Sequence, residues 1–372
     1  MKIEQTFSDI FKTEPEVATF AHGRVNLIGE HTDYNGGFVL PTNIPQRTEV
    51  AVAKRSDREV HLFSSNFAEK SKSDRDSTNY SLGDEYLSRH WSDYIKGITF
   101  ILQKDGYKIG GFNCALGSNV PIGSGLSSSA ALEVAVIKAL NKLFSLGIDP
   151  VTIAKMGQRV ENDFVGARIG IMDQMVASLG TMGEALFIDT RDLSYKNLPL
   201  PTSEMELLVI NSGVEHSNVH GDYNQRRSEC EQACAALKIN QLRDLGVDQL
   251  DRLNTLPDIL KRRARHVITE NQRVLDAVEA LKSGHYEKLG KLFLESHASM
   301  RDDYKVSIPE IDLLVELTSA ESGVLGARLT GGGFGGSIVA LLKPGLGRKV
   351  GEAVVNRYHE KTGKHGTVLV PA

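Results

Sequence analysis

Two stretches of this 372-residue chain concentrate side chains able to do chemistry. Between Ala18 and Ile44, the residues Arg24, Asn26, Glu30, His31, Asp33 and Asn35 crowd between short apolar runs, and Gly29, Gly36 and Gly37 mark turns around them. Glu30, His31 and Asp33 place two carboxylates and an imidazole within four residues. Such a set suits a polyhydroxylated ligand, because each group makes a directional hydrogen bond and an unpaired buried group penalises the wrong ligand steeply. A solvated Asx turn, EHTDYNGG, is the alternative. The second stretch is PIGSGLSSSAALEVA, Pro121 to Ala135. Gly123 and Gly125 permit backbone angles and approaches that a Cβ blocks, so successive N–H groups around Ser124 and Leu126 can converge on an anion. Ser127, Ser128 and Ser129 then open a helix, where unpaired N–H groups and the dipole favour phosphate and hydroxyls can cap or ligate Mg²⁺. The alternative is a serine-capped core helix.

Standard nucleotide motifs fit poorly. A Walker A loop needs a Lys before its Ser/Thr, and none stands between Gly123 and Ser129. A Rossmann fingerprint needs a strand after the first helix, but Pro150 to Gly166 has helical spacing. Near the C-terminus, GVLGARLTGGGFGGSIVALLKPG sets Gly331, Gly332, Gly333, Gly335 and Gly336 between two strand-like runs. It contains GxGxxG, but joins strand to strand and so fails the dinucleotide context. Its glycines bring backbone close to something, with a phosphate favoured over a tight turn packed on its neighbour.

The elements that must position these groups follow from apolar spacing. Helices are expected at the N-terminus through Phe7, Ile10 and Phe11, over His90 to Gln103, and from Ala130 through Leu140. In VTIAKMGQRVENDFVGA, Met156, Val160 and Phe164 share a helix face with Glu161 beside it, a cation-ligand candidate or a surface acid. Asp173 starts the short helix of GIMDQMVASLG, either as a cap or as a proton acceptor. Further helices are expected over 222–237, 259–282, 289–300 and 308–319. The alternation in 46–67 suggests hairpin-like strands, Gly110 to Asn119 a strand, and Glu69 to Glu85 a surface loop. Ala185 to Asp189 and Glu206 to Ser212 are expected strands with a loop between them, and the domain junction is placed near residue 190.

Composition restricts the partners. The net charge of −4, with basic residues interspersed among acidic ones, argues against nucleic acid. No signal-peptide core or membrane-length apolar run is present, so a cytosolic protein is expected. Cys114, Cys230 and Cys234 suit reduced, packed thiols, and His31 lacks a second His at metal-ligand spacing.

Taken together, the three motifs resemble the GHMP kinases. PIGSGLSSSAA resembles their shared phosphate loop and LTGGGFGG their C-terminal motif, while GRVNLIGEHTDYNGG resembles the narrower N-terminal signature of galactokinases. ENDFVGARIGIMDQ, NSGVEHSNVHGDYNQRR and SMRDDYKVSIPEID extend the resemblance nearly end to end. It implies an α/β (α+β) fold of two lobes, residues 1–190 and 191–372, with the active site in the cleft between them. It also implies phosphorylation of the anomeric hydroxyl of D-galactose by ATP with Mg²⁺. On that basis Asp173 and Arg24 are catalytic, and Glu30, His31, Asp33, Gly170, Asp173 and Tyr223 bind sugar. Ser64 and the run Gly123, Ser124, Gly125, Leu126, Ser127, Ser128 and Ser129 bind ATP, with Ser129 and Glu161 on the metal. No nucleic-acid or membrane partner is expected, and the chain should be a monomer or weak homo-oligomer. Ile169 departs from the Cys that galactokinases often carry before the Gly of GIMDQ, which bears on sugar selectivity. A kinase for N-acetylgalactosamine or L-arabinose, or a sugar and ATP sensor without turnover, is the alternative; the full SSSA run argues against the sensor.

Overall fold

The computed structural model describes residues 2–68, 76–214 and 219–370. The first half of the chain forms α1 (Ile3–Phe11), β1 (Val17–Asn26), β2 (Phe38–Val39), β3 (Pro41–Lys54), β4 (Glu59–Ser64), α2 (Ser65–Ala68), β5 (Ser77–Ser81), α3 (Asp93–Lys104), β6 (Phe112–Ser118), α4 (Ser128–Leu143), α5 (Pro150–Arg159) and α6 (Met172–Leu179). The second half forms β7 (Glu184–Asp189), β8 (Ser194–Pro199), β9 (Glu206–Asn211), α7 (Val219–Leu237), α8 (Asp258–Lys282), α9 (Tyr286–Ser299), α10 (Pro309–Ser319), β10 (Val324–Thr330), β11 (Ser337–Leu342), α11 (Gly347–Thr362) and β12 (Thr367–Val370). The class is mixed α/β.

One compact unit comprises residues 1–23, 46–121 and 127–179. Its strands run β3-β6-β4-β5, with β4 parallel to β6 and the other pairs antiparallel. The period-2 alternation of β3 sorts its residues by face. Val50 and Val52 join the core with Ile98 of α3 and Val134 and Leu140 of α4, whereas Ala51 and Ala53 pack with Ile3 and Phe7 of α1. Ile10 of α1 is left exposed.

The expected hairpin over 46–67 does not form. β6 lies between β3 and β4, because Gly111 lets the chain enter where a Cβ would sit 2.6 Å from Asp57 O and 2.5 Å from Glu59 O. The Gly111 N–H donates to Asp57 O and its own carbonyl accepts from the Arg55 N–H, which holds the entry point in place. Of the loop expected over Glu69 to Glu85, residues 69–75 lie outside the described residues, and Ser77–Ser81 instead pairs on β4 as β5.

The other unit comprises residues 24–45, 122–126 and 180–372. The boundary expected near residue 190 therefore falls inside it, and both the sugar-like signature and the Ile122–Leu126 turn group with the C-terminal residues. An antiparallel sheet β10-β11-β9-β12 carries a core of Leu208, Ile210, Leu329, Ile338 and Ala340 against helices that contribute Val267, Tyr304, Leu314 and Val354. β2, β7 and β8 form a second run. The segment expected as a loop between β7 and β9 is thus partly strand: Ser194–Pro199 has one buried position in six, too few to register as an alternating pattern. All three cysteines are free and buried. Among the described residues no helix is long and apolar enough to cross a membrane.

Candidate active site

In the first unit, the start of α4 and the segment 160–173 supply the candidate groups. Ser127, the residue before α4, is held left-handed at φ 62, a costly conformation for a residue with a Cβ. Its hydroxyl donates to Asp173 Oδ2 in the first turn of α6. α5 does not continue as an α-helix; Val160–Val165 widens into a π turn, a feature often found at functional sites, and this turn carries Glu161. Burial pushes the Glu161 carboxyl up to about 7, against a hydrogen bond from Ser129 and with the charge of Asp173 adding to the rise. Asn162 holds the next turn by accepting from the Ile169 N–H at 2.9 Å, which fixes the approach to buried Gly170.

Glu133, one turn after Ser129 on α4, is fully buried. Burial raises its carboxyl well above the usual range and the charge of Glu161 raises it further, while Gln174 Nε2 donates to Oε2 at 3.1 Å. Ser64 ends β4 almost fully buried, with no hydrogen-bond partner for its hydroxyl among the described residues.

In the second unit the sugar-like signature and both glycine-rich loops form one polar assembly. The Arg24 N–H donates to Leu126 O at 3.1 Å, and Arg24 Nη1 donates to Gly125 O at 2.6 Å. The close approach the glycines permit is to other backbone. A Cβ on Gly331 (φ +89) would lie 2.6 Å from Gly125 O, and one on Gly336 2.9 Å from Ser124 O. Ser337 Oγ also donates to Ser124 O at 2.7 Å. The missing side chains of Gly331 and Gly336 thus admit the 123–126 turn, while those of Gly333 and Gly335 admit Val306 O and Val214 O.

Glu30 is buried, and its Oε1 accepts from the Gly331 N–H at 2.8 Å. Burial raises its carboxyl, opposed by Arg328 and then Arg24. His31, left-handed at φ 62, places Nδ1 2.8 Å from Tyr34 Oη and Nε2 3.1 Å from Gly332 O. Burial lowers the imidazole to about 3. Asp33 is half-buried at the start of a short turn, where Oδ1 accepts from the Tyr34 N–H at 2.9 Å. The Tyr223 ring lies 5.3 Å from those of His31 and Tyr34, on the Gly332 side of the assembly.

The structure therefore joins Ser127 to Asp173, Ser129 to Glu161, Arg24 to Gly125 and Leu126, and Glu30 and His31 to the C-terminal glycines. Ser64 makes no such connection. Spacing arguments missed Glu133, Arg328 and Glu270. Arg328 is fully buried in β10, donating Nη1 to Asn26 O and Leu27 O at 2.9 Å each, 3.5 Å from Glu30 and with Nη2 3.8 Å from Glu270. Burial pushes Glu270 up, but Arg273, His266 and Arg328 outweigh it and hold the carboxyl at about 2. The available signal was a lone charge inside an otherwise apolar strand or helix: Arg328 in VLGARLT, Glu133 in AALEVAV.

Family models agree with this layout. That described as GHMP kinases N terminal domain matches residues 93–181, and GHMP kinases C terminal matches 277–360. The fold is shared with the mevalonate kinase of Methanococcus jannaschii, at TM-score 0.65 and 18% identity over 95% of this chain and 97% of that one. These define the class, a GHMP-type kinase. The galactokinase galactose-binding signature matches residues 5–54. Galactokinases of Haemophilus influenzae strains PittGG and PittEE are each 43% identical over 374 residues, covering 99% of this chain and 96% of theirs. The crystal structure of Lactococcus lactis galactokinase complexed with galactose superposes at TM-score 0.93 and 33% identity, covering 98% of this chain and 95% of that one. The chain belongs to the galactokinase family.

Proposed function

We propose that the protein phosphorylates D-galactose at its anomeric hydroxyl, using ATP and releasing ADP and α-D-galactose 1-phosphate, in the cytoplasm. The observation that carries this reading is the full-length likeness to galactokinases, with Arg24, Glu30 and Asp33 inside the residues 5–54 that the galactose-binding signature matches.

In this reading Asp173 takes the proton of the anomeric hydroxyl as the oxygen attacks the γ-phosphorus, and the bond to the ADP oxygen breaks. Ser127, donating to Asp173 Oδ2, orients that carboxylate. Arg24 offsets negative charge at the transferring group, and Gly125 O fixes its guanidinium. Glu30, Asp33, Gly170 and Tyr223 hold the sugar; the backbone from Gly123 to Ser129, with Ser64, holds the nucleotide. The Ser129 hydroxyl and Glu161 carboxyl are the hard oxygen donors that Mg²⁺ takes alongside phosphates, and the buried Glu133 Oε1, without a hydrogen-bond partner among the described residues, supports a cation there. Bound there, Mg²⁺ would neutralise phosphate charge.

The test is ADP release with Mg·ATP and D-galactose, N-acetylgalactosamine, L-arabinose, glucose or no sugar. Turnover with galactose well above the rest is expected. Equal or greater turnover with another sugar, or none with any while ATP still binds, overturns the reading. Asp173→Asn should bind ATP yet lose turnover by about two to four orders of magnitude, the usual contribution of a general base; a rate near that of the unsubstituted enzyme removes the base assignment.

A further inference from the structure

The hydrogen bonds around His31 fix its tautomer by elimination. Gly332 O can only accept, so the imidazole Nε2 at 3.1 Å carries the proton. Nδ1 is then bare, and the Tyr34 hydroxyl at 2.8 Å must donate to it. With that proton engaged, Tyr34 Oη accepts from the Tyr304 hydroxyl at 2.8 Å, and Tyr304 Oη accepts from the Cys230 thiol at 3.1 Å. The chain of donors runs one way, from Cys230 to Gly332.

Glu30 acts on the same dipeptide from the preceding position, since its Oε1 accepts the Gly331 N–H. Consecutive side chains thus satisfy the N–H of Gly331 and the carbonyl of Gly332. Gly331 in turn lies against Gly125, whose carbonyl accepts from Arg24. The imidazole has no nitrogen left for a sugar hydroxyl.

We propose that His31 is a positioning residue: it does not ligate galactose, but clamps the Gly331–Gly332 turn onto the phosphate loop at Gly125, with Tyr34, Tyr304 and Cys230 fixing its tautomer. This rests on the galactokinase reading above and changes the role of one residue within it. Loss of the clamp is felt by the nucleotide loop and Arg24, so it registers in kcat and in the KM for ATP. Galactose affinity, carried by other groups, stays nearly constant.

His31→Leu removes both ring hydrogen bonds, whereas His31→Gln keeps an N–H donor for Gly332 O. His31→Leu should lower kcat/KM for ATP about ten-fold or more, the worth of one buried hydrogen bond, with calorimetric galactose Kd changed less than about three-fold. His31→Gln should recover most of the loss. A galactose Kd weakened about ten-fold in His31→Gln, with ATP parameters unchanged, would overturn the proposal. ¹⁵N spectra of histidine-labelled protein, with His31 assigned by its absence in His31→Gln, should show a proton on Nε2 and a bare Nδ1 from about pH 5 to 8, unmoved by galactose. The opposite tautomer, or a ring shift on adding galactose, also overturns it. Failure of the functional reading looks different: the unsubstituted enzyme would release no ADP with galactose, while the tautomer, which needs no substrate, would still be observed.

Discussion

His31 and His266 are both buried and both must stay neutral in the fold. Burial lowers His31 to about 3, with the His266 charge lowering it further, and lowers His266 to about 4 despite nearby Glu270. The groups facing them are Tyr34, Tyr223, Tyr304, Arg226, Glu270, Arg273 and Asp303. A histidine whose folded pKa is depressed binds its proton only on unfolding. Its stabilising contribution is therefore complete above about pH 6.5 and is lost as pH falls toward the folded value. At pH 5 each site should cost about 2 kcal/mol, 1.5 pH units at about 1.4 kcal/mol each. Urea unfolding at pH 7.5 and pH 5 should show His31→Gln losing about 2 kcal/mol less than the unsubstituted protein over that interval. Equal losses would mean His31 is not held neutral by the fold. Arg328→Met belongs to the same scale: it strands Glu30 and Glu270 without their shared cation and should destabilise by about 3–5 kcal/mol, measured by the same denaturation. Residues such as Arg24, Glu30 and Asp33 were legible from sequence because polar groups crowded between apolar runs need a reason. Arg328 and Glu133 are marked only as lone charges in apolar runs, and their partners are not marked at all, because spacing reports which face a residue takes and not which charge waits across a core.

At the scale of elements, strands were legible and their partners were not. The alternation of β3 and β4 marks two strands, but period-2 patterning is indifferent to which neighbour supplies the hydrogen bonds, and Gly111 decides that β6 intervenes. Helical spacing likewise continued through Glu161, where the structure has a π turn at Val160–Val165, and the helix expected over 289–300 ends where a second π turn, Met300–Tyr304, begins; one extra residue per turn leaves too small a trace in an apolar pattern. The glycine loops show backbone demand most directly. Gly331→Ala adds a Cβ 2.6 Å from Gly125 O at φ +89, so both the conformation and the contact are unfavourable and the obstacle is backbone that cannot rotate away. The left-handed conformation alone costs about 1–2 kcal/mol. Gly331→Ala should lower thermal stability and turnover together, whereas Gly363→Ala, also left-handed at φ +71 but with open space at its Cβ, should cost only the conformational part and leave turnover intact. Equal effects at the two positions would remove the Gly331–Gly125 contact from the argument.

At the scale of the whole molecule, a chain with net charge −4 has no broad field to gather an anionic substrate, so recognition rests on local groups and shows itself as ligand-linked stability. A ligand that binds only the folded state at one hundred times its Kd adds about 2.7 kcal/mol. Galactose should therefore raise the melting temperature, and Mg·ADP should do so separately. Asp33 permits a clean separation of the two. Its Oδ1 accepts from the Tyr34 N–H, a bond that an asparagine oxygen can also accept, so Asp33→Asn keeps the turn while removing the charge proposed to hold a sugar hydroxyl. Asp33→Asn should melt within about 1 °C of the unsubstituted protein without ligand, since a change at a half-buried position that leaves the Tyr34 N–H its acceptor costs little. It should lose the galactose-induced shift and keep the Mg·ADP shift. If both shifts disappear, Asp33 supports the fold of the assembly rather than the sugar; if both persist, the carboxylate charge plays no part in binding and the neutral amide serves as well.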